Sequence, residues 1–269
     1  MNMFQGNLVF CFIVCILSCV DTGTTSAATK SWQYLAMAQL WPGTSCVLFG
    51  KENCSVPLGT HGWTIHGLWP SNDSAEQPEN CNDSMTFKYN QIKVLRPQLN
   101  EQWPNFNKSG NPLYLWKHEW IKHGTCAYEL PILQGELKYF NSTLQLHKTL
   151  DIFGALSRSN IHPSENKRYK LRDIYLAIVD KYHKHPQISC LKIKNKHYLD
   201  QIWQCYNKTL HLIDCPEVIP HGDGNTGRME NHPEQSELAL SFQSEKKGYF
   251  IGCPRNGTVR YVPVPASQM

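Results

Sequence analysis

Eight cysteines, Cys46, Cys54, Cys81, Cys126, Cys190, Cys205, Cys215 and Cys253, limit what this chain can fold into more than any other feature. An even number spread along a chain implies a disulfide framework when the protein leaves the reducing cytosol. The N-terminus meets that condition. An apolar run from Leu8 to Val20, interrupted by Ser18, leads into small and polar residues ending Ser26-Ala27-Ala28. This is the pattern of a secretory leader cleaved near Ala28, although residues 2–7 hold no Lys or Arg. An apolar run this short falls below the roughly 20 residues that span a bilayer, so no membrane attachment is expected after cleavage. Three further cysteines, Cys11, Cys15 and Cys19, fall inside the leader. Eight cysteines allow on the order of a hundred pairings, and spacing alone does not choose among them. Zinc ribbons are set aside because no C-x-x-C pair is present.

Asn-x-Ser/Thr sequons point to the same compartment. Asn72, Asn82, Asn107, Asn141 and Asn256 are the expected glycan carriers, while Asn53 and Asn207 are set apart by their nearness to the cysteines. A secreted or lysosomal protein, or one that is both, is the expected destination by way of the endoplasmic reticulum.

Residues 29–269 suit a single domain able to bury a real core. Aromatic and β-branched residues predict strands over 32–41, 62–68, 198–206 and 248–253. Helical periodicity predicts helices over 111–127, 135–150 and 169–183. Strands and helices mix without regular βαβ alternation, which predicts an α+β class. The stretch 216–247 contains Gly222, Gly224 and Gly227 among many charges but no phosphate-binding fingerprint, and is expected to be a long surface loop. The net charge of +4 is mild, and twelve histidines would add to it in acid. The cluster 181–185 and the run Lys192, Lys194, Lys196, His197 could steer a polyanion, or equally form a solvated helix end and strand edge.

The chemistry gathers in two blocks, Trp63-Thr64-Ile65-His66-Gly67-Leu68-Trp69-Pro70 and His118-Glu119-Trp120-Ile121-Lys122-His123-Gly124-Thr125-Cys126. Histidine exchanges protons under mild conditions, and two imidazoles from different elements can flank one reacting atom while Glu and Lys manage the developing charge. On a helix, His118 sits above Lys122 and Glu119 above His123. The zinc-protease pattern needs histidines four apart, whereas His118 and His123 are five apart, roughly 140° in azimuth on an α-helix. Lys122 as a compact cation and His118 as a second donor suit a phosphate better than a metal. No cofactor is expected.

These two blocks resemble the active-site segments of the RNase T2 family, acid ribonucleases that cleave single-stranded RNA without a metal. The likeness extends from Trp32 to about Gly257 and is nearer the animal members. It includes Leu35-Ala36-Met37-Ala38-Gln39-Leu40-Trp41-Pro42-Gly43, similar to the family's first core strand. The resemblance implies a central antiparallel sheet packed with helices, and disulfides Cys46–Cys54, Cys81–Cys126, Cys190–Cys253 and Cys205–Cys215. It also implies a monomer acting on single-stranded RNA by transesterification through a 2',3'-cyclic phosphate. His66 would be the acid and His123 the base, Glu119 and Lys122 would stabilise the pentacoordinate phosphate, and His118 would bind it. Trp63 and Trp69 are candidates for base stacking or for lining the pocket, and Gln39 for a base contact. A non-catalytic signalling or immune-modulating glycoprotein on the same scaffold is the alternative, and a secreted zinc hydrolase is a third reading.

Overall fold

A computed structural model of the chain describes residues 31–58, 60, 62–73, 77–111, 113–217, 247–254 and 257–265. The leader, the sequon at Asn256 and most of the expected 216–247 loop lie outside the described residues. In chain order the elements begin with β1 (Tyr34–Leu40), α1 (Pro42–Phe49) and β2 (Thr64–Ser71). Next come α2 (Tyr89–Ile92), α3 (Arg96–Gln102), α4 (Leu113–Glu119), a π-helical turn (Trp120–Gly124), α5 (Thr125–Ala127), α6 (Glu136–Lys148) and α7 (Ile152–Arg158). The chain then forms β3 (Tyr169–Lys170), α8 (Leu171–Tyr182), β4 (Gln187–Ile193), β5 (Lys196–Tyr206), β6 (Leu212–Ile213), β7 (Phe250–Ile251) and β8 (Thr258–Val259).

The main sheet runs β2-β1-β5-β4-β7, with β6 added to β5, and β3 pairs with β8 separately. All of the main-sheet pairs are antiparallel except β4 with β7, where Ile188 and Ser189 face Phe250 and Ile251 in parallel. The class is α+β, as expected, with that one parallel pair at the edge. Parallel neighbours need a long connection, and here β5, β6 and the residues beyond them intervene.

Alternation along the central strand β1 divides the interior. Leu35 and Met37 enter a core built with Ile92, Leu99, Trp116 and Phe140, from the helices of the first half. Tyr34 and Ala36 face the opposite side with Cys205, Trp69 and Trp203. A second core joins Ile188, Leu199 and Ile202 of the sheet to Ile174, Tyr175 and Ile178 of α8, and to Trp41, Trp63 and Tyr261. The strand at 187–193 and the helix at 42–49 were not expected from sequence. Residues 42–49 hold Pro, Gly, Thr and Ser, weak helix formers in an interior, but Pro42 stands at the first turn where its missing N–H costs nothing. Burial of Pro42 to Cys46 does the rest.

Four disulfides join Cys46–Cys54, Cys81–Cys126, Cys190–Cys253 and Cys205–Cys215. These are the pairs the resemblance implied. Among the described residues, no helix is long and apolar enough to cross a membrane.

Candidate active site

His66 reaches the cleft because β2 carries one residue too many for its partner. Ala38 of β1 faces Gly67 and Gln39 faces Ile65, so His66 is the extra residue of a β-bulge. In a regular strand residues 65 and 68 would point to opposite faces. With the bulge, Ile65 and Leu68 both enter the helix-side core while His66 and Trp69 both line the cleft. Gly67 is required for space: a Cβ there would lie 2.1 Å from both Glu119 Oε2 and Trp69 Nε1.

The helix of the second block contains a matching irregularity. The expected continuous helix over 111–127 is interrupted by the π-turn at Trp120–Gly124, where the Thr125 N–H donates to the Trp120 carbonyl five residues back. This corrects the α-helical azimuth argument. The wider turn brings His118 and His123 to a ring-centroid separation of 6.3 Å, edge to face. Carbonyls left over by the irregular turn find partners outside it. Lys122 O accepts from Asn80 N–H at 2.9 Å and Ile121 O from the Thr125 hydroxyl at 2.8 Å. Cys81 N–H donates to Thr125 Oγ1, and Cys81–Cys126 closes the same junction covalently.

The two blocks meet around Trp69. Its ring lies 5.1 Å from His66 and 5.3 Å from His123, centroid to centroid, so both imidazoles touch one indole. Trp69 Nε1 donates to Glu119 Oε2 at 2.8 Å. His66 Nε2 lies 4.0 Å from Glu119 Oε1, and Lys122 pairs with Glu79 at 3.0 Å at the rim. The cleft encloses about 550 Å³ and is lined by these groups with Tyr34, Gln187, Trp203, Glu217 and Ile251.

Burial dominates the electrostatics. Glu119 is 1% exposed, and loss of solvent pushes its carboxyl up to about 8, against the opposing pull of the Trp69 hydrogen bond and of Lys122. His123 is pushed down to about 3 by burial and then by the charges of Lys122, His118 and His66. Burial also lowers His66, opposed by the Gln201 hydrogen bond and reinforced by His118 and Lys122. His118 is lowered by its partial burial and by Lys122, with Glu79 opposing. The 4.0 Å contact of His66 and Glu119 is an ion pair only when both are charged. Burial opposes charge on each partner.

The structure brings His66, Trp69, His118, Glu119, Lys122 and His123 into one cleft. It does not bring in Trp63 or Gln39. Trp63 is buried against Trp41 with its Nε1 donating to Tyr261 Oη, and Gln39 is fully buried against His147. For those two, a base contact is corrected to a core role. Sequence reasoning missed Gln201, Trp203 and Glu79. Gln201 and Trp203 lie two apart on an expected strand, and that spacing already placed them on one face.

His118, Glu119 and His123 offer ligand atoms within 4.8 Å of one another, the one such group among the described residues. Trp69 already holds the Glu119 carboxyl, and the Lys122 ammonium stands alongside, so the donor set fits a cation poorly.

Of the sequon asparagines, Asn141 is exposed, and Asn72, Asn82 and Asn107 are half-buried. In Asn82 and Asn107 the side-chain oxygen accepts from the hydroxyl of the sequon serine.

Residues 32–215 match the model of the Ribonuclease T2 family. The chain is similar to Ribonuclease Oy of Magallana gigas, 38% identical over 190 residues, covering 69% of this chain and 88% of that protein. It is similar to Ribonuclease T2-A of Mus musculus, 35% identical over 258 residues, covering 94% of this chain and 91% of that protein. Its fold is similar to that of RNase NT in complex with 5'-AMP, with a TM-score of 0.62 at 29% identity, covering 72% of this chain and 95% of the other.

Proposed function

Because this chain belongs to the ribonuclease T2 family, in which it is an endoribonuclease, we propose that its cleft cleaves single-stranded RNA by proton transfer between His66 and His123. The observation that carries this reading is the pair of imidazoles in contact with one indole, Trp69, next to a buried carboxyl and a lysine. One imidazole removes the proton from a ribose 2'-hydroxyl, whose oxygen attacks the adjacent phosphorus. The other protonates the departing 5'-oxygen, leaving a 2',3'-cyclic phosphate.

His123, held down to about 3, is neutral through the acid range, the state in which a base must start. The Gln201 acceptor at His66 Nδ1 favours the protonated ring that an acid needs, against the burial that lowers it. Glu119, pushed up to about 8, is a neutral carboxylic acid at mild pH and can donate a hydrogen bond to a non-bridging oxygen. Lys122 supplies the positive charge for the pentacoordinate phosphate, and His118 a further donor. Trp69 and Trp203 offer ring surface to a base. A nucleotide bound in the related RNase NT supports an RNA substrate. The leader and the sequons support passage through the endoplasmic reticulum to secretion or the lysosome, and one chain holds the whole site, which supports action as a monomer.

The test is cleavage of poly-ribonucleotides and matched DNA at pH 5 with EDTA present, for the wild type and for His66→Phe and His123→Phe. RNA cleavage indifferent to EDTA, absent on DNA and lost in both variants is expected. Near-wild-type activity in a well-folded variant would refute the assignment, and inhibition by EDTA would favour the zinc reading.

A further inference from the structure

The two ring nitrogens of His66 have different surroundings. Nε2 faces Glu119, whereas Nδ1 lies 3.0 Å from Gln201 Oε1. The Gln201 amide is not free to turn over. Its Oε1 also accepts from Trp203 Nε1 at 3.0 Å, and an indole nitrogen can only donate. Its Nε2 donates to Asp200 Oδ2 at 3.1 Å. Both ends of the amide are therefore assigned, and the oxygen has to face the imidazole. A ring nitrogen opposite an amide oxygen must carry the hydrogen.

We propose that Gln201 is a positioning residue that fixes His66 in its Nδ1–H tautomer, leaving Nε2 to exchange the proton with RNA. This rests on the reading of His66 as a proton-transfer group. The backbone is shaped for it. Ser189 faces Gln201 and Cys190 faces Leu199, so Asp200 is the extra residue of a second bulge. That bulge lets Gln201 and Trp203 face the cleft side while Leu199 and Ile202 both stay in the core. The titratable groups around His66 come from several elements: His118 on α4 and Lys122 on the π-turn lower it by charge, His123 is coupled to it, Glu119 lies 4.0 Å from its Nε2, Glu79 pairs with Lys122, and Asp200 stands behind Gln201.

Long-range ¹H–¹⁵N NMR of the wild type, above the pH at which His66 protonates, should show Nδ1 bearing the proton and Nε2 bare. Gln201→Met keeps the side-chain length but removes the acceptor. It should mix the two tautomers and lower kcat by roughly ten- to a hundredfold, as loss of a partner at a histidine's other nitrogen does elsewhere, with KM changed by less than about twofold. An Nε2–H tautomer in the wild type overturns the proposal without any variant, so a variant that fails to fold does not protect it. A kcat within about twofold of wild type, or a loss confined to KM, also overturns it. His66→Asn separates the two levels. If it still cleaves RNA, the reading of His66 fails; if it is inactive while Gln201→Met is unimpaired, only the role of Gln201 fails.

Discussion

Replacing Glu119 by glutamine should change how stability depends on pH. The carboxyl is 1% exposed, and its titration moves from the ordinary 4.5 up to about 8 in the folded protein. Below 4.5 both the folded and the unfolded chain hold the proton, and the contribution of the group is fully present. As pH rises, the unfolded chain ionises first while the folded one still holds the proton, so stability is lost until the folded group titrates near 8. At about 1.4 kcal/mol per pH unit, that window amounts to about 5 kcal/mol. In Glu119→Gln the amide cannot ionise, and its oxygen can still accept from Trp69 Nε1, so the variant lacks this slope. The assay is urea unfolding at pH 5, 6, 7 and 8, followed by tryptophan fluorescence with the disulfides intact. The variant should gain on the wild type by about 1 kcal/mol for each pH unit across that range, with the slope falling as pH nears 8. Parallel curves would show that the folded protein carries an ionised Glu119 at neutral pH, and the neutral-carboxyl account of the site would be abandoned.

Two further perturbations follow from the packing. Gly67→Ala puts a methyl group 2.1 Å from Glu119 Oε2 and Trp69 Nε1; a cost of about 1–3 kcal/mol should lower Tm by roughly 2–4 °C per kcal/mol and depress kcat, and an unchanged melting curve would contradict it. Removing Cys81–Cys126 as a double alanine variant opens a link across a sequence separation of 45; about 4 kcal/mol of stability should be lost, seen as a lower urea midpoint, and a midpoint equal to wild type would count against it.

The two catalytic blocks, the helices around 135–150 and 169–183 and the central strands were legible because their apolar residues follow the period of the element they form. Residues 187–193 were not, because their core face carries only Ile188 and Cys190 before reaching Lys192, too short an alternation to signal a strand. The helix at 42–49 escaped because tertiary burial, not propensity, forms it. Within the site, side-chain identities were readable but orientations were not. Trp63 lies beside the active-site strand in sequence, yet the chain turns it into the core. Gln201 is distant from both blocks, and no local pattern announces that it would meet His66.

The bulge at His66 and the π-turn that holds His123 are the same kind of event, a single residue in excess of the regular repeat. Each imidazole therefore owes its aim to a count. Dropping one residue from either element would heal the backbone into an ordinary strand or helix. The later side chains would keep their faces, because each irregularity absorbs its own extra residue, but the position that aims an imidazole into the cleft would be lost. Chain length in these two segments is thus under stricter constraint than the identity of most residues in them: this scaffold can trade side chains there, but not insertions or deletions.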